Sequence, residues 1–175
     1  LRIDKVQQPA WDQVILLLRG NQRLLLNAGA NAPRIQLTEL TRDNPAEPPM
    51  FCMLLRKHLV GARVADITQP PLERLVRMEL DITDDFGQPG RRTLVLEAMG
   101  RRSNLILLDG EGRVIDCMRR VDAEMSAARQ VLPGLFYEQP ASTGRLPFLE
   151  ETEEGFREKL SQVNPEVQLD RFLLD

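Results

Sequence analysis

Short runs of apolar or alternating residues, each cut off by turn-forming residues, recur along most of this chain and constrain its fold more than any other feature. Gln13 to Arg19 (QVILLLR) is apolar and ends at Gly20-Asn21, and Gln22 to Asn27 (QRLLLN) follows directly. That arrangement is a strong hairpin signal, because Gly and Asn both accept the left-handed backbone that a tight hairpin requires. Ile3 to Gln8 alternates before it and stops at Pro9, and Arg34 to Leu37 alternates after the turn Ala28-Gly29-Ala30-Asn31. The expectation is a meander of four short antiparallel strands.

The pattern then changes once. Asn44-Pro45 and Pro48-Pro49 mark a loop, and Met50 to Gly61 follows with Phe51, Leu54, Leu55 and Leu59 at helical spacing. Pro before the first turn and Gly at the end are the expected helix boundaries. A second β section runs from Arg63 to Asp116. Its strands are expected at Arg63–Thr68, Leu75–Thr83, Thr93–Met99, Asn104–Leu108 and Arg113–Cys117, with hairpin loops at 84–90 and at Asp109–Gly112. Val131 to Tyr137 reads as a turn with an apolar anchor. From Phe148 onward the chain reads as helical and acidic. The expected fold is mainly β with α (α+β): an antiparallel two-sheet β-sandwich of about nine strands with one inserted helix.

The 175 residues leave room for one ordinary domain and the start of another, and 42% apolar residues suffice for a core. No apolar run approaches the ~20 residues that span a bilayer, so no membrane association is expected. The opening Leu1-Arg2-Ile3-Asp4 carries charge where a secretion leader would be apolar, so a cytoplasmic location is expected. Cys52 and Cys117 are too few for a disulfide framework and read as reduced core thiols. With a single His, a zinc site is also not expected. The net charge of -3 at first argues against nucleic acid. It is unevenly spread, however: residues 1–75 carry 10 basic and 7 acidic side chains, residues 76–146 carry 10 and 11, and residues 147–175 carry 3 and 8. The acidity belongs to the tail, and 20 of the 23 cations are Arg.

Enzyme motifs are mostly absent, and no cofactor is implied: there is no glycine-rich phosphate loop, no metal-ligand helix and no Gly-x-Ser-x-Gly elbow. Two features stand out. Glu73-Arg74 follows Gln69-Pro70-Pro71-Leu72, and Glu97-Ala98-Met99-Gly100-Arg101-Arg102-Ser103-Asn104 closes one strand and opens the next. An Arg at a strand start can present its planar donors to phosphate or stack on a base, and a neighbouring acid can orient it. The alternatives are an ordinary surface ion pair and a polar turn rimmed by arginines. Arg56, Lys57 and His58 gather in the last turn of the helix, where cations complement its dipole. The alternative for this trio is a phosphate-facing surface.

Asn44 to Leu59 (NPAEPPMFCMLLRKHL) closely resembles the signature of the NFACT-N domain, the family of bacterial RqcH, its eukaryotic counterpart NEMF and the proteins labelled fibronectin-binding protein A (FbpA). Three further stretches match in order: Ile3 to Pro9, Glu97 to Leu107, and Val131-Leu132-Pro133-Gly134 with Tyr137. The resemblance covers about residues 1–140. It implies a sandwich similar to the N-terminal domain of formamidopyrimidine-DNA glycosylases. It also implies a ribosome quality-control factor that binds stalled large ribosomal subunits carrying peptidyl-tRNA. Such factors recruit tRNA, alanine-tRNA in bacteria, for template-free C-terminal tailing of the nascent chain. On this reading residues 1–146 are the NFACT-N domain, lacking the family's N-terminal helix. Residues 147–175 are a linker and the start of a helix-hairpin-helix domain, with a coiled coil and an NFACT-R domain as the remaining partners.

The family's tRNA-binding Asp-Arg pair aligns with Glu73-Arg74, and Glu differs from Asp by one methylene. Glu97, Ala98 and Met99 match a second segment that faces tRNA in the family, and Arg101, Ser103 and Asn104 fit the adjoining motif. The protein is expected to be a non-catalytic RNA-binding factor, since no residue can serve as the glycosylases' N-terminal Pro nucleophile. Two other readings compete. One is a surface adhesin that binds fibronectin, as the FbpA label suggests. The other is a scaffold whose RNA contacts lie in other domains.

Overall fold

A computed structural model describes residues 1–84, 86–141, 151–164, 166–168 and 171. Nine strands and a ten-residue helix build a compact unit from Leu1 to Glu138. Strands β1 (Ile3–Ala10), β2 (Gln13–Leu18), β3 (Gln22–Asn27) and β4 (Arg34–Leu37) form an antiparallel meander. Helix α1 (Met50–Leu59) follows. Strands β5 (Arg63–Thr68), β6 (Leu75–Thr83), β7 (Pro89–Glu97), β8 (Asn104–Leu108) and β9 (Val114–Cys117) form a second meander. The mainly β, two-sheet architecture expected from the sequence is the one observed.

The β2–β3 hairpin turns where Gly20 and Asn21 take positive φ, +92° and +61°, which is why that dipeptide ends the strand. Several strand boundaries differ from the sequence expectation, most of all those at Pro9 and Pro89. Strand β1 does not stop at Pro9 but runs to Ala10, with a register shift between Gln7 and Ala10. Proline is tolerated there because β1 is an edge strand and the irregularity needs no N–H from residue 9. Strand β7 begins at Pro89 rather than Thr93, because Arg91 pairs across to Asp81 and keeps the ladder going to Pro89. It ends at Glu97, two residues early.

The main core lies between the sheets. Ile3, Val6, Val14, Leu16, Leu24 and Leu26 from the first sheet meet Met78, Leu80, Leu94, Leu96, Leu105 and Leu107 from the second. Helix α1 packs against β1, β6 and β9 and adds Phe51, Cys52, Leu55 and Leu59. Leu54, expected in the buried stripe, packs at its margin, and Cys52 takes the inner position. Both cysteines are free and buried. Burial pushes the Cys52 thiol up, and burial aided by Asp116 pushes Cys117 up to about 12.

Because the second sheet is apolar on both faces, it needs a second cover. Leu75, Val95, Ile106, Leu108, Val114 and Cys117 face away from the first sheet. The segment after β9 returns over them and contributes Val131, Val121 and Tyr137. Val131 is the buried anchor of this return, whereas Leu135 and Phe136 remain largely exposed. The chain from Gln139 belongs to a separate unit, in which helix α2 (Glu153–Gln162) is capped by Thr152 and carries Glu153 and Glu154 in its first turn. The boundary expected at residues 146/147 lies outside the described residues.

Leu55 is fully buried in the core between the helix and the two sheets. Leu55→Ala is expected to cost about 2–5 kcal/mol, read as a lower midpoint in urea denaturation followed by circular dichroism.

Candidate nucleic-acid interface

The two sequence segments singled out above meet at one end of the sandwich. Leu75 pairs with Glu97 and Glu97 pairs with Asn104, so the start of β6, the end of β7 and the start of β8 lie side by side. Beyond the ladder, Ala98 N–H donates to the Arg74 carbonyl at 2.8 Å. That bond holds Glu73-Arg74 beside Ala98-Met99.

A strained turn delivers Arg74. Glu73 N–H donates to the Pro70 carbonyl at 3.1 Å, and Leu72 sits at φ +59°. Pro followed by a positive-φ residue is the type II pattern, but that second position ordinarily holds Gly. A leucine there costs on the order of 1–3 kcal/mol, a strain kept only where the surroundings over-determine it. Gln69 helps by donating its side-chain amide to the Glu73 carbonyl at 2.7 Å. Arg74 itself is exposed and has no carboxylate within 4 Å among the described residues.

The β7–β8 connection is the short helical turn Gly100–Arg102, with Gly100 at φ +57°. The buried Ser103 hydroxyl accepts the Met99 N–H at 2.9 Å and closes this turn from beneath. Asn104 is buried too: its amide donates to the Arg119 carbonyl at 2.7 Å and its oxygen accepts the Arg119 N–H at 2.9 Å. Ser103 and Asn104 therefore shape the surface from inside, while Arg101 and Arg102 point outward without acid partners among the described residues.

Glu97 is only 2% exposed, and its carboxylate is engaged within the protein. Arg129 grips both oxygens, Nη1 to Oε2 at 3.2 Å and Nη2 to Oε1, and the Tyr137 hydroxyl donates to Oε1 at 2.8 Å. Arg77 and Arg129 lie 6.0 and 5.3 Å from the Tyr137 ring centre. Burial and the adjacent Glu97 carboxylate push the Tyr137 phenol well above its usual range. Glu97 thus ties the returning cover to the end of β7, directly before Ala98.

The helix-end trio lies at the other end of the sandwich. Gly61 N–H bonds the Ile3 carbonyl, and His58 Nδ1 lies 3.5 Å from Arg92 Nε. Arg92 precedes Glu97 by five strand residues, about 17 Å. Arg56 donates Nε–H to the Val6 carbonyl at 2.9 Å, and of the three only Lys57 is exposed. Burial, then Arg92 and Lys57, lower the His58 pKa.

More of this end comes from segments that the sequence did not single out. Arg119 lies over the ring of Trp11, 5.5 Å from its centre, in the β1–β2 turn. The β3–β4 loop joins them: Ala28 N–H donates to the Asp12 carbonyl, and the Ala30 carbonyl approaches Gly100. Arg129 and Arg119 lie in irregular chain with no periodicity to mark them, and a lone Trp in a hairpin turn was the one available signal. A surface cleft lined by Asn21, Gln22, Arg23, Leu37, Thr38 and Glu39 lies beside the β2–β3 hairpin, at the opposite end. Among the described residues no three His, Cys, Asp or Glu side chains converge to hold a metal, and no helix is long and apolar enough to cross a membrane.

The family described as NFACT N-terminal and middle domains matches residues 1–175. The chain belongs to this family. It is 38% identical over 178 residues to the Rqc2 homolog RqcH of Bacillus subtilis, covering 99% of this chain and 31% of that protein. It is 31% identical over 129 residues to the archaeal Rqc2 homolog aRqcH of Methanocaldococcus jannaschii, covering 74% of this chain and 18% of that one. The NFACT chain thus spans under a third of the length of these curated relatives. Its fold matches the N-terminal domain of the fibronectin-binding protein PavA from Streptococcus pneumoniae, with a TM-score of 0.82 and 34% identity over 93% of this chain and 62% of that one. The fibrinogen binding protein from Staphylococcus aureus matches at 0.81 and 29%, over 99% of this chain and 61% of that one.

Arg129→Met leaves the Glu97 carboxylate buried with the Tyr137 hydroxyl but no cation, and is expected to destabilise the NFACT domain by roughly 3–5 kcal/mol. Adding Glu97→Gln should restore most of the loss in chemical denaturation, because no buried charge then remains. His58 is the lone histidine and gives a single NMR titration. Its midpoint is expected below the usual value of about 6.5, because burial and the neighbouring Arg92 and Lys57 disfavour the charged imidazole; a midpoint at or above that value would overturn this placement of the ring.

Proposed function

We propose that this chain is the tRNA-contacting module of a ribosome quality-control factor, and that Arg74 is its principal contact. The observation that carries the proposal is the exposed Arg74 guanidinium, free of acids among the described residues and tied by its own carbonyl to Ala98. A guanidinium so placed offers planar, bidentate donors to a phosphate, or a flat face to a base. Arg101 and Arg102 extend the positive edge. Glu73 lies beside Arg74 and is suited to orient it or to accept from a base edge. Ala98 and Met99 supply the apolar part of the contact surface. Glu97, Ser103 and Asn104 act from beneath by fixing the backbone that presents these groups.

The 38% identity to RqcH supports the wider reading. The full-length protein would bind a stalled large ribosomal subunit carrying peptidyl-tRNA and recruit tRNA for template-free C-terminal tailing in the cytoplasm. Alanine-tRNA is the expected choice in a bacterium. The module itself would be non-catalytic, because positioning an aminoacyl-tRNA is the work such a site can do and peptide transfer belongs to the ribosome. The unit from Gln139 would be the entry to a helix-hairpin-helix domain. Fibronectin binding, in the names of structural neighbours, is the weaker reading, since the described edge is dominated by exposed arginines suited to a polyanion.

Arg74→Ala is expected to weaken tRNA binding roughly ten- to a hundredfold, the worth of one charged hydrogen-bonded contact. The slope of log affinity against log salt should fall by about one. Filter binding or anisotropy across a salt series measures both. Unchanged affinity would rule out Arg74 as the contact.

A further inference from the structure

We infer that Trp11 is a stacking platform for an unpaired base of the bound RNA, backed by Arg119, at the far side of the edge that begins with Arg74. This rests on the tRNA reading above and deepens it by adding a contact that reads base faces rather than phosphates.

Three observations carry it. First, the indole is 62% exposed although Trp is the largest apolar side chain in the protein. Second, it is not on a loose loop. The Trp11 carbonyl accepts from the amide of the buried Gln8 at 3.1 Å, and the next carbonyl, that of Asp12, accepts the Ala28 N–H at 2.9 Å. Third, the ring is already engaged by a cation. The Arg119 guanidinium lies 5.5 Å from its centre, and Arg119 Nε is buried with no hydrogen-bond partner. Among the described residues Arg119 has no carboxylate within 4 Å, so its charge is available to the ring and to whatever approaches it.

Position completes the case. The Asn104 side chain fixes the Arg119 backbone, and Asn104 stands two strands from the start of β6, about 10 Å away. The ordered turn Gly100–Arg102 lies between, with Arg101 and Arg102 facing out. A strand whose phosphates follow Arg74, Arg101 and Arg102 would reach Trp11 with a base. An exposed aromatic at one end of a row of arginines is the composition of single-strand sites, where the cations track the backbone and the ring takes a base face. The guanidinium behind the ring strengthens the stack through its cation–π contact. Asp12, the next residue along the chain, turns its carboxylate toward Gly29.

Because this is the protein's single tryptophan, its fluorescence reports on this site alone. Titrating the 175-residue chain with tRNA, and with a short single-stranded oligonucleotide, is expected to quench that emission as binding saturates. Trp11→Ala should lower tRNA affinity about tenfold while leaving the salt slope unchanged, and Trp11→Phe should recover part of the loss. Trp11 is exposed, so neither variant should alter the thermal midpoint. Flat fluorescence, or full affinity in Trp11→Ala, would overturn the platform alone if Arg74→Ala still weakens binding. Absence of any tRNA binding by the wild-type chain would overturn both readings. Equal losses in Trp11→Ala and Trp11→Phe would also count against stacking.

Discussion

A buried carboxylate with two fixed partners organises the end of the sandwich that presents Arg74. The five-stranded sheet is apolar on both faces, so the chain must return after β9 to cover the outer one. That return is irregular and supplies few large apolar residues. What fastens it at the Arg74 end is polar: Glu97 at the end of β7, gripped by Arg129 and bonded by Tyr137. A buried carboxylate without partners would cost several kcal/mol, so the three groups keep their places together or not at all. The next residue, Ala98, holds Arg74 through its N–H. Cover, sheet and exposed arginine are therefore mechanically linked within two residues of chain.

The same economy explains why so many polar residues near the site face inward. Ser103 closes the Gly100–Arg102 turn, and Asn104 clamps the backbone at Arg119. A contact surface for a flexible polyanion needs donors that do not relax when the ligand arrives, because ordering them on binding would consume part of the affinity. Here long, flexible side chains lie outside and short, buried ones fix the backbone that carries them. The αL leucine at 72 fits the same picture, as strain maintained two residues before the arginine that is presented.

How much of this was legible in the residues depended on periodicity. Strands β3, β4, β6 and β8 begin and end where alternation and turn residues place them, because the period-two pattern and the sheet face are one physical fact. The Pro9 and Pro89 boundaries were missed because ladder pairing by neighbours carried each strand past a local breaker. Glu73, Arg74, Ala98 and Arg101 were named from sequence and do lie together at one edge. Arg56, Lys57 and His58 were named with them and lie at the far end, since adjacency on a helix says nothing about which end of a sandwich that helix reaches. Arg129 and Tyr137 as partners of Glu97 could not be read at all: they stand 32 and 40 residues away along the chain. Trp11 was visible as a letter, but its value comes from Arg119 lying over it, 108 residues later.

The charge of the chain shows the same difference between composition and placement. A net of -3 argues against a polyanion only if charges act as a sum, and at about 0.15 M salt they are screened beyond about 8 Å. Within that distance the sign is set by pairing. Asp81 is shared by Arg63 and Arg91, Asp116 is taken by Arg120, and Glu97 by Arg129. These acids neutralise their neighbours, whereas Arg74, Arg101, Arg102 and Arg119, which share one end of the sandwich, have no acid partner among the described residues; Arg2, Arg23, Arg34, Arg42, Arg56 and Arg92 elsewhere have none either. A local cluster of acid-free arginines can therefore present a positive edge on a chain whose summed charge is negative.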